Sequence, residues 1–169
     1  MTTAGERLDQ WLRDAHAMEE QAEQMLSALA GRIENYPKLK ARIEEHLEET
    51  RRQAQRVRSC IERRGASTST LKDAAGKIMA TMQGVSGVFA GDEIVKGTLA
   101  GYTFEHMEIM SYRVLAQAAK AAGDEETARV CTEIMDEEQA MADWLFENSA
   151  DVISQYLIRE EQDSEQAKR

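Results

Sequence analysis

The stretch that decides the fold is Gly101 to Tyr112, G-Y-T-F-E-H-M-E-I-M-S-Y. Wound at about 100° per residue, this segment and its flanks put Ile94, Thr98, Glu105, Ile109, Tyr112 and Ala116 on one helical face. Glu105 therefore interrupts an otherwise apolar or weakly polar stripe, at a position where leucine would be the ordinary choice. Glu108 lies one turn on, at the edge of the same stripe, and can turn its carboxylate toward whatever Glu105 faces. Two carboxylates at i, i+3 on a core face are either an error of phasing or a ligand pair, because burying them without a cation is costly.

The flanking helices carry the same signature. A helix from about Gly5 to Ala30 brings Leu8, Leu12, Ala15, Glu19, Ala22, Leu26 and Leu29 to a seam, and Glu19 is the one ionisable residue in it. The Asn35-Tyr36-Pro37 turn ends that helix, and Pro37, with φ already set, starts the next. Helix two, from about Pro37 to Arg64, turns Leu39, Ile43, Thr50, Val57 and Ile61 inward with His46 in their midst. Glu49 flanks this seam and Glu48 points to solvent. The connection is short, so helices one and two should pack antiparallel.

From residue 65 to 91 the character changes to a Ser67–Thr70 cluster, a weakly amphipathic piece with Ile78 and Met82 that Thr70 can cap, and then Gly84, Gly87 and Gly91. So long a connection fits an overhand crossover that starts helix three at the end where helix two started. Helix three runs from about Asp92 to Ala122 and a Gly123-Asp124 turn leads into helix four. Helix four, from about Glu125 to Ser149, faces inward with Cys131, Ile134, Glu138, Ala142 and Leu145. A separate amphipathic segment, Val152 to Arg159, is expected to cap the bundle, with a frayed tail after Glu160.

Composition agrees with an all-α, four-helix bundle. The 169 residues suit one domain, and a single proline among Ala/Glu/Arg/Gln-rich segments leaves no competing strand pattern. A net charge of −10, from 31 acids and 21 bases, disfavours nucleic acid and anionic membranes as partners. With no signal peptide and no membrane-spanning run, a cytoplasmic location is expected. Cys60 and Cys131 stand alone and read as small core residues without a redox role.

Glu19, His46, Glu105 and Glu138 fall near the midpoints of their helices, so in a bundle of matched lengths they meet at one depth. Several buried carboxylates around one imidazole need a cationic partner, and two divalent metal ions would neutralise most of the charge. Oxygen donors with an imidazole favour iron or manganese, with zinc next. His16 and His106 sit on stripe margins and read as surface residues, with a ligand role for His106 the lesser alternative; Tyr102 and Tyr112 read as core residues, with support of the site's ligands the lesser alternative, and the methionines as packing. The competing function is a plain bundle serving as a structural or protein-interaction module.

Four motifs, D-A-H-A-M-E-E-Q (Asp14 to Gln21), H-L-E-E-T (His46 to Thr50), F-E-H-M-E-I (Phe104 to Ile109) and E-E-Q-A-M-A-D-W-L (Glu137 to Leu145), are spread over nearly the whole chain. Together they resemble the YciF-like members of the ferritin-like superfamily. The resemblance implies a four-helix bundle with a rubrerythrin-like dinuclear metal centre, a homodimer, an association with bacterial stress and no settled enzymatic activity. It implies Glu19, His46, Glu49, Glu105, Glu108 and Glu138 as the metal ligands. Two departures stand out: ferritin-like sites carry E-x-x-H on helices two and four, whereas here the order is His46 then Glu49, and Met141 stands where a second histidine would. Any turnover implied is metal oxidation by oxygen or peroxide.

Overall fold

The computed structural model describes residues 1–65 and 91–168. Four long helices, α1 (Ala4–Arg32), α2 (Pro37–Arg63), α3 (Glu93–Ala121) and α4 (Glu125–Gln162), are followed by a short α5 (Ser164–Lys168). The Ser/Thr cluster and the short helix expected around Ile78 and Met82 lie outside the described residues.

The helix ends follow from local chemistry. Thr3 caps α1 in a capping box: its hydroxyl accepts from the Glu6 amide at 3.2 Å, while the Glu6 carboxylate accepts from the Thr3 amide at 2.7 Å. Pro37 opens α2 at its first turn, where a missing N–H costs nothing. Gly123 turns the chain at φ +73°, a conformation that favours glycine. Asp124 then caps α4 by accepting from the Thr127 amide at 3.0 Å.

Side-chain contacts fix the topology. Leu29 of α1 meets Gly97 of α3, and Tyr112 of α3 reaches back to Glu19, so α1 and α3 run antiparallel. Gln53 bonds Glu137 and Arg63 bonds Asp124 and Thr127, so α2 and α4 also run antiparallel. With tight turns joining α1 to α2 and α3 to α4, helices α2 and α3 are parallel, as the crossover requires.

The apolar core divides in two. One cluster includes Leu8, Leu12, Val57, Ile61, Leu115 and Ile134, and the other Ile33, Leu39, Ile43, Ile94, Met141 and Leu145. On α2 and α4 the residues between these sets are polar: His46, Thr50 and Gln53 on one, Glu138 on the other, all at most 1% exposed. A polar layer thus separates two apolar ones.

Two expectations need correction. Residues 152–159 are not a separate capping segment but the continuation of α4, because Ala150 and Asp151 offer no helix breaker. The tail is not wholly frayed either: Tyr36 donates to the Ala167 carbonyl at 2.6 Å, Asn35 to the Gln166 carbonyl at 3.1 Å, and Ala167 is buried. Arg159, 4.6 Å from the centre of the Tyr36 ring, adds a cation–π contact to this end of the bundle. Among the described residues no helix is long and apolar enough to cross a membrane.

Candidate metal centre

Each long helix contributes to the polar layer: α1, α2 and α4 each place one ionisable side chain in an apolar seam, Glu19, His46 and Glu138, and α3 places two, Glu105 and Glu108. His46, Glu105, Glu108 and Glu138, all buried, bring one potential ligand atom each to within 4.8 Å of one another. His46 is the hub. Its Nε2 lies 3.2 Å from Glu105 Oε2 and 3.3 Å from Glu138 Oε2, while its Nδ1 lies 2.7 Å from Glu49 Oε2. Glu49 is itself held by Arg42 at 3.2 Å. A carboxylate on Nδ1 fixes the ring orientation and directs Nε2 at the cluster, the arrangement that metal-binding histidines use.

Glu19 lies beside this group of four, and its Oε1 accepts from the Tyr112 hydroxyl. Its Oε2 has no hydrogen-bond partner, and the same holds for Glu105 Oε2, Glu108 Oε1 and both oxygens of Glu138. Two of these five, on Glu105 and Glu138, lie within 3.3 Å of His46 Nε2; a single N–H cannot point at both. The remaining three are buried acceptors with no donor. Leaving a buried polar group unsatisfied costs about 1–3 kcal/mol, more if it is charged. The donor set therefore fits a cation: four carboxylates and one imidazole converge, and the cluster lacks the donors to satisfy them.

Electrostatics point the same way. Burial and the neighbouring charge of Glu138 push Glu19 well above the ordinary carboxylate range, against the opposing bond from Tyr112. Burial and the charges of Glu138, Glu19 and Glu105 do the same to Glu108. Glu138 is pushed up to about 8 by burial, with Glu105 reinforcing and His46 opposing. For His46, burial disfavours the charged ring, but Glu105, Glu138 and Glu49 overcome it and push it up to about 12. Burial also works against ionised Glu49, yet His46 and Arg42 hold it below its usual range. Burial and mutual repulsion thus favour the protonated form of Glu19, Glu108 and Glu138 in this layer.

The sequence-predicted residues fall into three groups. His46, Glu105, Glu108 and Glu138 come together, Glu19 lies near enough to interact with the charges of Glu138, His46 and Glu105, and Glu49 is placed against the far nitrogen of His46. Glu108 is no edge residue: at 1% exposed it is as deep as Glu105 at 2%. Helix α3 packs against both α1 and α4, so its buried face is wider than a single stripe. Tyr112 is more than core filling, since its hydroxyl reaches Glu19; its place in the same stripe, two turns from Glu105, was the available signal. His16 is buried rather than solvated, with Nδ1 3.8 Å from Glu20 and without a hydrogen bond. His106 is exposed as expected and packs edge-on against Tyr102 at 4.5 Å between ring centres. Met141 is buried at the position where the wider superfamily has its second histidine, so the centre keeps one imidazole. Not all methionines pack inside: Met110 is exposed. Cys60 and Cys131 are buried and free.

Comparison with known proteins supports the resemblance. The model of a family described as "Domain of unknown function (DUF892)" matches residues 3–158. Protein YciF of Escherichia coli (strain K12) is 31% identical over 140 residues, spanning 76% of this chain and 80% of that protein. Among solved structures, a protein from Xanthomonas campestris pv. campestris superimposes with a TM-score of 0.79 at 41% identity, covering 94% of this chain and 99% of the other. The E. coli stress protein YciF superimposes with a TM-score of 0.70 at 25% identity, covering 89% and 99%.

Proposed function

The chain belongs to the DUF892 family, of YciF-like type, and from that membership and its buried cluster we propose that it is a dinuclear metal protein. Iron is the first candidate, with manganese and zinc next. The ions would be held by Glu19, His46, Glu105, Glu108 and Glu138, with Glu49 acting through His46. The observation that carries this proposal is the set of buried, donorless oxygens on Glu19, Glu108 and Glu138 beside an imidazole already oriented by a carboxylate. Four ionised carboxylates in this layer sum to a charge that two divalent ions cancel, which favours a pair over a single ion.

When bound, such ions supply Lewis-acid and one-electron redox chemistry, the class expected being metal oxidation by oxygen or peroxide. The chain's own part is defined by its geometry. Glu49 holds the imidazole so that Nε2 faces the carboxylates, Tyr112 donates to Glu19, and the apolar clusters on either side keep the layer dry. The E. coli relative YciF is a stress protein, which supports a role for this chain in the bacterial stress response; we place that role in the cytoplasm.

A second role, as a structural or interaction module, is favoured by one observation. The outer faces of α3 and α4 expose Leu99 (63%), Met110 (59%), Phe146 (69%) and Leu157 (56%), more apolar side chain than an isolated bundle needs to show water. A homodimer using this surface is compatible with a metal core, so the two roles can coexist.

The test is metal analysis of protein purified without chelator from iron- or manganese-replete cells, alongside a Glu108→Leu, Glu138→Leu double variant. The expected result is about two ions per chain in the parent, as in di-metal carboxylate bundles, and loss in the variant. A parent ratio near zero after remetallation would leave only the interaction role.

A further inference from the structure

A cavity of about 20 Å³ lies against the centre, bounded by Leu29 of α1, Gly97, Thr98, Gly101 and Glu105 of α3, and Leu145 of α4. It exists because α3 carries glycine at two positions one turn apart. A Cβ placed on Gly97 would lie 3.5 Å from Leu29 Cδ1, and one on Gly101 3.7 Å from Leu145 Cδ1. Any larger side chain at either position would grow into this space. Both glycines are half-buried, so the cavity borders the surface at one side and the buried carboxylate of Glu105 at the other.

Its lining decides what it can hold. The Thr98 hydroxyl is turned to the Ile94 carbonyl at 2.9 Å, and the helical backbone of Gly97 and Gly101 is occupied within α3. The polar group that remains among the described lining residues is the Glu105 carboxylate, 2% exposed, whose Oε2 lies 3.2 Å from His46 Nε2. A space of this size exceeds the roughly 10–15 Å³ that a water molecule needs, but a water also needs two to four polar partners. Peroxide needs more, and an ion would have to shed its hydration shell against leucine and isoleucine.

We propose that this cavity is an apolar ligand site abutting the Glu105 side of the metal centre, which admits a small, uncharged, apolar molecule of the dioxygen class and rejects peroxide and ions. The proposal rests on the metal reading above for its role and on the cavity's own lining for its selectivity. It assigns Gly97 and Gly101 a purpose: they are the residues whose missing side chains keep the approach open.

Xenon is the probe, used on chelated protein so that metal plays no part in the signal. Crystals of the parent under xenon pressure should show one xenon between Gly101, Leu145 and Glu105, and crystals without gas should show no ordered water there. Gly101→Val should lose that xenon while keeping the parent's metal content. Should the valine variant fail to fold, Gly97→Ala, which adds a single carbon beside Leu29, should lower xenon occupancy. An absence of xenon in the parent, a water hydrogen-bonded to Glu105 that fills the space, or undiminished occupancy in a folded variant would each overturn the assignment. Metal analysis of the same preparations before chelation separates the two proposals. Metal without xenon removes the cavity alone, whereas xenon without metal removes the centre and with it the cavity's role as an approach.

Discussion

On the proposed metal centre, stripping the ions should invert how the stability of this protein depends on pH. In the metal-free fold, Glu19 and Glu108 lie well above their ordinary range, Glu138 is raised to about 8 and His46 to about 12. Every one of these shifts is upward, so between the unfolded and folded values the native chain keeps a proton that the unfolded chain has released. For Glu138 that window runs from 4.5 to about 8, and for His46 from 6.5 to about 12. Stability is therefore greatest at the acid side of these windows and falls as pH rises through them. Each retained proton contributes a slope of about 1.4 kcal/mol per pH unit. Glu138 alone should thus lower chelated stability by about 1.4 kcal/mol between pH 6 and 7, or about 3–6 °C in Tm for a chain of this size. His46 adds to the same slope above 6.5, and Glu19 and Glu108 steepen it further. Of the groups shifted downward, Glu6, Glu49, Asp92 and Asp124 act below about pH 4.5, and His16, lowered from 6.5 by burial, opposes the slope only at the acid end of the range. With metal bound the sign reverses, because the ions displace those protons and bind more tightly as pH rises. The assay is urea unfolding of chelated and metal-loaded protein from pH 5.5 to 8, with the widest gap between the two expected at pH 8. Chelated stability that is flat or climbs over this range would refute the clustering of buried acids.

Three further outcomes follow from individual contacts. His46→Ala should weaken metal binding measured by competition with a chromophoric chelator, and His106→Ala should leave it unchanged, since one ring is buried among carboxylates and the other is exposed; the reverse order would move the imidazole ligand to α3. Glu49→Ala should weaken metal binding by about 10–100-fold through loss of ring orientation, the usual effect of removing such a partner, and unchanged affinity would mean that Glu49 does not position His46. Tyr112→Phe should destabilise the chelated protein by about 1–3 kcal/mol in urea, because Glu19 Oε1 then joins Oε2 as an unpaired buried acceptor; a neutral substitution would show that the hydroxyl does not support the core.

Much of the fold was legible because its signals are local. The start of α2 follows from Pro37, and the residues Glu19, His46 and Glu138 stand out because each is the lone ionisable side chain in an apolar seam. The crossover was legible from the length of the second connection, since a short loop would have forced α2 and α3 antiparallel. What escaped the sequence depends on tertiary context. Glu108 was misjudged because α3 is buried on two sides, so a single-stripe phase underestimates its depth. His16 is buried on α1 although its phase put it at the seam's margin. The docking of the tail depends on Tyr36 and Asn35 meeting carbonyls more than a hundred residues away, a contact that no periodicity encodes. The uninterrupted α4 was misread because a change in amphipathic phase near Asp151 resembles a boundary, while the backbone meets no glycine or proline there.

The most direct measurement is anomalous diffraction at the iron or manganese edge from crystals of metal-loaded protein. Two peaks are predicted inside the polar layer, bounded by His46, Glu105, Glu108 and Glu138, with Glu19 and Tyr112 at one side. Peaks confined to exposed acids, or no peak in the layer while its carboxylate oxygens remain unpaired, would contradict a metal centre in the core.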